Sequence, residues 1–210
     1  MKDIVIIGSG GFAKEVAFLI DECNKKKQEW NLLGFIDKEK GVNNGKYQVY
    51  ENDQWLLNLD KEINVVFGIG NPTIIKSIHS KLSSNLKIKY PNLIHPNVTG
   101  DWERIKMGVG NLICASNTFT TDIVIGDFNV FNLDCTIGHD CVFGNFNILN
   151  PSANISGGVE VADNVLIGTN VTILQYKKIC SNVVVGASSL LTKDIIEVGV
   201  YIGSPVKKIK

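Results

Sequence analysis

Residues 125–154 read IGDFNV FNLDCT IGHDCV FGNFNI LNPSAN, and each of these five hexads begins with a large apolar residue. The pattern extends in both directions. Every sixth residue from Met107 to Leu191 is apolar: Met107, Ile113, Phe119, Ile125, Phe131, Ile137, Phe143, Leu149, Ile155, Val161, Ile167, Ile173, Ile179, Val185 and Leu191. No α-helix has a six-residue period, and a strand alternates in twos. A fixed period held over fifteen repeats means a solenoid whose coils stack on one another. Two residues before most of these apolar positions stands a second column of small or β-branched residues, including Asn129, Cys135, Cys141, Asn147, Ala153, Val159 and Val165, with Lys177 as the exception. That is the hexapeptide pattern of a left-handed parallel β-helix. Three hexads close one triangular coil of eighteen residues, so the run predicts five coils. At about 4.8 Å per coil the prism is roughly 24 Å long. Flat sides of this kind favour trimers, because packing them together hides strand edges.

The first ninety residues follow another grammar. Residues 2–7 (KDIVII) form a buried-strand pattern, followed by the turn Gly8-Ser9-Gly10-Gly11 and a helical spacing from Phe12 to about Lys25. Leu32–Ile36 reads as a second strand ending at Asp37, residues 53–59 as a short helix, Asn64–Ile69 as a third strand, and Thr73–Leu82 as a helix opened by Pro72. Lys87–Tyr90 is a candidate fourth strand. Alternating strands and helices imply a small parallel sheet. The predicted fold is therefore α/β plus all-β: a small Rossmann-like N-terminal domain, residues 1–90, then a left-handed parallel β-helix with a short C-terminal tail, residues 91–210.

Charge and composition narrow the function. The 21 basic and 21 acidic residues cancel, which leaves no electrostatic footprint for nucleic acid and no polybasic patch for a membrane. No apolar run approaches the roughly 18 residues that cross a bilayer, so membrane insertion is not expected. Five cysteines without a C-x-x-C pair read as reduced thiols of a cytoplasmic protein.

Of three histidines, His79 falls in a helix and His95 before Pro96, whereas His139 falls on the outside of the repeat and is followed by Asp140. A histidine beside a carboxylate on a rigid surface suits a general base. One coil further on stand Gly157 and Gly158, with Gln175 and Tyr176 beyond. Paired glycines above a His-Asp pair expose backbone N–H groups that can polarise a thioester carbonyl. On the residues alone a second reading stands equally: a tight glycine corner beside a solvated histidine. Pro151, Thr169 and Ala187 form another eighteen-residue column, smooth enough for a slender cofactor but also simply good β-helix grammar. In the first domain, Gly8, Gly10 and Gly11 lie between strand and helix, where N–H groups favour phosphate. Asp37 ends the second strand, the position used for ribose hydroxyls, and Gly70 ends the third on the same sheet edge. Ala13 stands where the last glycine of a full G-x-G-x-x-G would be.

Taken together, GSGGFAKEV (8–16), GFID (34–37), GIGN (68–71), IHPNV (94–98), GHDCVFG (138–144) and the tail YIGSPVKKI (201–209) resemble the sugar acyltransferases of the NeuD/PglD type almost end to end. The resemblance implies a homotrimer that binds acetyl-CoA between neighbouring β-helices and a nucleotide-linked amino sugar in the N-terminal domain. It implies His139 as catalytic base and Asp140 as its acidic partner. Gly157, Thr169 and Ala187 would line the CoA site, while Gly8, Gly10, Gly11, Asp37 and Gly70 would contact the nucleotide sugar. Some members carry a second histidine nine residues after the first, where this chain has Ile148.

The expected activity is acetyl transfer from acetyl-CoA to the amine, at the 4-position of the sugar, directly and with no metal. Sugar O-acetylation is the nearest alternative, and a non-catalytic trimeric scaffold a more distant one. A γ-class carbonic anhydrase needs three zinc-binding histidines, and the repeat holds only His139.

Overall fold

The computed structural model describes residues 1–38, 43–44 and 46–210, which divide into two compact units, Met1–Pro96 and Asn97–Lys210. The stretch 91–96, grouped with the repeat on sequence, falls in the first unit, where Cys23 Sγ lies 3.4 Å from the carbonyl oxygen of Ile94.

The first unit has a sheet of strands β1 (Lys2–Ile7), β2 (Trp30–Ile36), β3 (Asn43–Asn44), β4 (Tyr47–Glu51), β5 (Ile63–Phe67) and β6 (Ile88–Lys89), ordered β3-β4-β2-β1-β5-β6. β1 pairs in parallel with β2 on one side and β5 on the other. Both faces of the centre are covered, which is why Ile4–Ile7 and all of β5 are buried. Helix α1 (Gly11–Lys26) turns Ala13, Val16, Ala17, Leu19 and Ile20 inward, and α3 (Pro72–Leu82) buries Pro72, Ile75 and Leu82. Strand order reverses at β1, the topology at which parallel sheets place their ligands beyond the strands' carboxyl ends. The β3–β4 hairpin was not expected. Val49 is buried in β4, and a strand of five residues carries too little alternation to declare itself.

The second unit is a left-handed β-helix with three faces. The first face stacks Leu112–Ile113, Val130–Phe131, Ile148–Leu149 and Leu166–Ile167 beneath Val183–Val185 and Gly199–Ile202. The second stacks Thr99–Gly100, Thr118–Phe119, Thr136–Ile137, Asn154–Ile155, Thr172–Ile173 and Leu190–Leu191. The third stacks Lys106–Met107, Val124–Ile125, Val142–Phe143, Glu160–Val161 and Lys178–Ile179. From Lys106–Met107 to Leu190–Leu191 each rung pairs in parallel with the one eighteen residues on, as Thr118 does with Thr136 and Thr136 with Asn154. From Ile113 to Leu191 every apolar residue of the six-residue run is buried. Phe119, Phe131 and Phe143 meet edge to face along the axis, with centroids 5.0 and 5.2 Å apart. The buried asparagines of the second column form a ladder. Asn129 N–H donates to Asn111 Oδ1 (2.8 Å), Asn147 N–H to Asn129 Oδ1 (3.0 Å) and Val165 N–H to Asn147 Oδ1 (2.8 Å).

Corners recur every six residues, and each places one residue in the left-handed region, from Ser116 (φ 63°) to Ser188 (φ 54°). Asp, Asn and Ser hold most of these positions, as short polar side chains tolerate that backbone best. Phe128, Phe146 and Tyr176 are the bulky exceptions. No helix among the described residues is long and apolar enough to cross a membrane.

Candidate active site

The three corners differ in how their outward N–H groups are satisfied. Between the third and first faces, each is capped by a side chain from the next coil. Val109 N–H donates to Asp127 Oδ1, Asp127 to Asn145 Oδ1, Asn145 to Asp163 Oδ1 and Asp163 to Ser181 Oγ, at 2.7–3.1 Å. That corner is structurally closed. The other two lack such caps, and they hold the residues singled out on sequence.

Between the second and third faces stand Thr121-Asp122, His139-Asp140, Gly157-Gly158 and Gln175-Tyr176, one pair per coil. His139 Nδ1 lies 2.7 Å from Asp140 Oδ2, with the imidazole 45% and the carboxylate 64% exposed. The ionised carboxylate can only accept, so this contact puts the proton on Nδ1 and leaves the Nε2 lone pair free. The ring leans up the corner against Gly157. A Cβ there would come within 2.5 Å of Cε1 and overlap Nε2, so only glycine fits under the imidazole. The two glycines then divide. Gly158 N–H is spent on the His139 carbonyl (2.7 Å), whereas Gly157 N–H finds no acceptor among the described residues. Gly158 (φ 68°) is itself covered by the Tyr176 ring, which stays 65% exposed. One free base and one free backbone donor thus converge at a single corner. A shallow groove in the second face, lined by Thr118, Thr120, Thr136, Gly138, Asn154 and Ser156, reaches the same place.

Thr169 and Ala187 occupy the third corner, between the first and second faces, and their N–H groups also lack acceptors among the described residues. Within one chain they are not brought beside Gly157, because the second face lies between. Ile148 is buried on the first face, away from His139. No group of three or more His, Cys, Asp or Glu side chains able to hold a metal ion occurs among the described residues. The thiols of Cys135 and Cys141 face inward, and burial pushes both up to about 11.

In the first unit, Gly8 (φ 100°) is packed against Gly68, where a Cβ would lie 3.0 Å from the Gly68 carbonyl oxygen, so the loops after β1 and β5 touch. Gly10, Gly11 and Gly70 are different: a Cβ on any of them would meet nothing within 4 Å. No contact among the described residues requires glycine there. α1 also starts without a side-chain cap at Gly10, whereas Asn71 caps α3 by accepting from Ile74 N–H. Ser9 Oγ donates to Asp37 Oδ2 (2.5 Å) and Lys38 N–H to Oδ1 (2.7 Å), which fixes the carboxylate at the sheet edge.

Residues 3–82 match the family model for the PglD N-terminal domain. The acetyltransferase domain of PglB from Neisseria gonorrhoeae FA1090, solved with acetyl coenzyme A, superposes with a TM-score of 0.88 at 27% identity and covers 99% of both chains. Residues 3–82 thus carry the PglD N-terminal domain, and the whole chain is similar to the neisserial acetyltransferase domain. PerB from Caulobacter crescentus, solved with CoA and GDP-perosamine, shares the fold (TM-score 0.90, 24% identity, 100% of this chain and 98% of that one). A galactoside O-acetyltransferase of Lactococcus lactis subsp. lactis (strain IL1403) is 28% identical over 170 residues, 74% of this chain and 79% of the relative.

Sequence reasoning passed over Arg104 and Asp122, which belong to the same corner column. The signal was the ruler itself: stepping back eighteen residues from Asp140 reaches Asp122, and a further eighteen reaches Arg104.

Proposed function

We propose that this protein transfers the acetyl group of acetyl-CoA to the amine of a nucleotide-linked 4-amino sugar, directly and with His139 as general base. The observation that carries the reading is the juxtaposition of a free His139 Nε2 with the unpaired Gly157 N–H. The thioester carbonyl oxygen accepts from Gly157 N–H, and the sugar amine attacks the carbonyl carbon to form the C–N bond. Nε2 takes the proton released from nitrogen, the C–S bond breaks, and CoA leaves as its thiol once protonated. Asp140 holds the imidazole in the tautomer this needs and offsets its charge once it is protonated.

Acetyl-CoA as donor is supported by the neisserial PglB domain solved with it. A donor that touches both Gly157 and the Thr169–Ala187 corner cannot do so along one edge of a single prism. Two neighbouring copies bring the corners together, which favours a homotrimer. The first unit supplies the nucleotide site. Gly10, Gly11 and Gly70 leave room for a ligand to approach the backbone, the open N-terminus of α1 suits a diphosphate, and Asp37 keeps acceptor capacity for a ribose hydroxyl. Acetyl-CoA and nucleotide sugars are cytoplasmic metabolites, which places the reaction in the cytoplasm.

The lactococcal relative keeps O-acetylation as the second reading, because the same base deprotonates a hydroxyl. The deciding experiment offers acetyl-CoA with UDP-, GDP- and dTDP-linked 4-amino sugars and free sialic acid, follows thiol release, and weighs the products by mass spectrometry. Thiol release with an amino sugar, lost in His139→Ala, is the expected result. Release with a hydroxyl acceptor alone replaces it by O-acetylation, and release with none of them overturns it.

A further inference from the structure

Asp140 does not stand alone on its corner. One coil below, Asp122 occupies the same left-handed position (φ 56° against 59°), so two carboxylates project from adjacent coils of one column. Their coils are joined by the hydrogen bond from Asp140 N–H to the Thr121 carbonyl (3.2 Å), and Thr121 Oγ1 donates to Asp101 Oδ2 (2.8 Å). Stacked like charges repel, yet Asp122 is held away from that role by Arg104. The guanidinium grips it from a further coil below, with Nε 2.9 Å from Oδ1 and Nη2 2.7 Å from each oxygen. The column therefore reads cation, anion, anion, with His139 as the fourth member beside the upper carboxylate.

Resting on His139 as the base, we infer that Arg104 is a positioning residue for the reaction, acting through Asp122. By neutralising the lower carboxylate it leaves Asp140 free to stay on His139 Nδ1. It also removes a negative charge that would oppose the oxyanion forming at Gly157. One uncompensated unit charge in water is worth a factor of about four at Asp140, one coil or about 4.8 Å away, and about two at Gly157, two coils away. A neutral residue at 122 needs no counter-ion, so removing both members of the pair should cost nothing.

The test compares Arg104→Gln and the Arg104→Gln/Asp122→Asn double variant in steady-state acetyl transfer, with His139→Ala alongside. Arg104→Gln should lower kcat three- to fivefold, on the scale of that factor of about four, and leave both KM values unchanged. The double variant should match wild type. The Arg104→Gln deficit should shrink at 1 M NaCl, where the Debye length is about 3 Å. A purely structural ion pair gives the opposite pattern: the double variant would be no better than Arg104→Gln, and salt would not help. That pattern, or an unchanged kcat in Arg104→Gln, overturns the inference while the base assignment survives. Full activity in His139→Ala overturns the base assignment itself.

Discussion

Gly157→Ala separates the chemistry of the corner from its folding. The added methyl would sit 2.5 Å from His139 Cε1, against about 3.6 Å for an ordinary carbon–carbon contact, so the ring must retreat by roughly 1 Å. The imidazole is 45% exposed, so it can swing out rather than distort the coil. A displacement of that size at a reacting group costs about 100-fold in rate. Stability should scarcely move. Gly157 lies outside the left-handed region, so alanine is accepted and gains about 0.4–1 kcal/mol through the unfolded chain. The exposed His139–Asp140 contact that is lost is worth no more than about 1 kcal/mol. The expected result is a kcat near one hundredth of wild type by thiol release, with a Tm within a few degrees by calorimetry. Gly158→Ala is the contrast: its φ of 68° makes alanine cost about 1–2 kcal/mol, so Tm should fall. A Gly157→Ala enzyme that kept at least a third of the wild-type kcat would refute the claim that the imidazole works from its seat on Gly157.

The remaining predictions concern the same corner and its structural counterparts. His139→Ala should cut kcat by about 10²–10⁴, and Asp140→Asn by less, since an amide oxygen can still accept from Nδ1; equal losses in single-turnover assays would contradict the tautomer argument. Asp163→Ala strips the cap from Asn145 N–H (2.7 Å) and should lower stability by about 1–2 kcal/mol with kcat unchanged, read from paired melting and activity curves. Cys135 and Cys141 should resist iodoacetamide at pH 8 in the native protein, because burial holds both thiols at about 11, as mass mapping would report. Between about pH 9 and 11 the unfolded chain ionises these thiols first, so stability should decline across that window.

Much of this was legible in the chain. A period of six admits one architecture, and because inward side chains must fill the prism at every rung, Ile113 through Leu191 could be placed in the core without coordinates. The stride of eighteen put Gly157 over His139, and it would have found Asp122 and Arg104 had it been run downward. Local signals failed where a strand was too short to show its alternation, as in β4.

What the sequence by itself determined is the repeat, the buried columns and the vertical neighbours, since these follow from periodicity alone. What only the tertiary structure decided is which groups remain free. Both glycines above His139 look alike in the sequence, yet one N–H is consumed by the His139 carbonyl and the other is open. Asp127, Asn145 and Asp163 cap their corner, whereas the N–H groups of Gly157, Thr169 and Ala187 find no acceptor among the described residues. Hydrogen-bond satisfaction depends on the direction of each donor and on what the next coil places opposite it. A one-dimensional pattern records spacing but not direction.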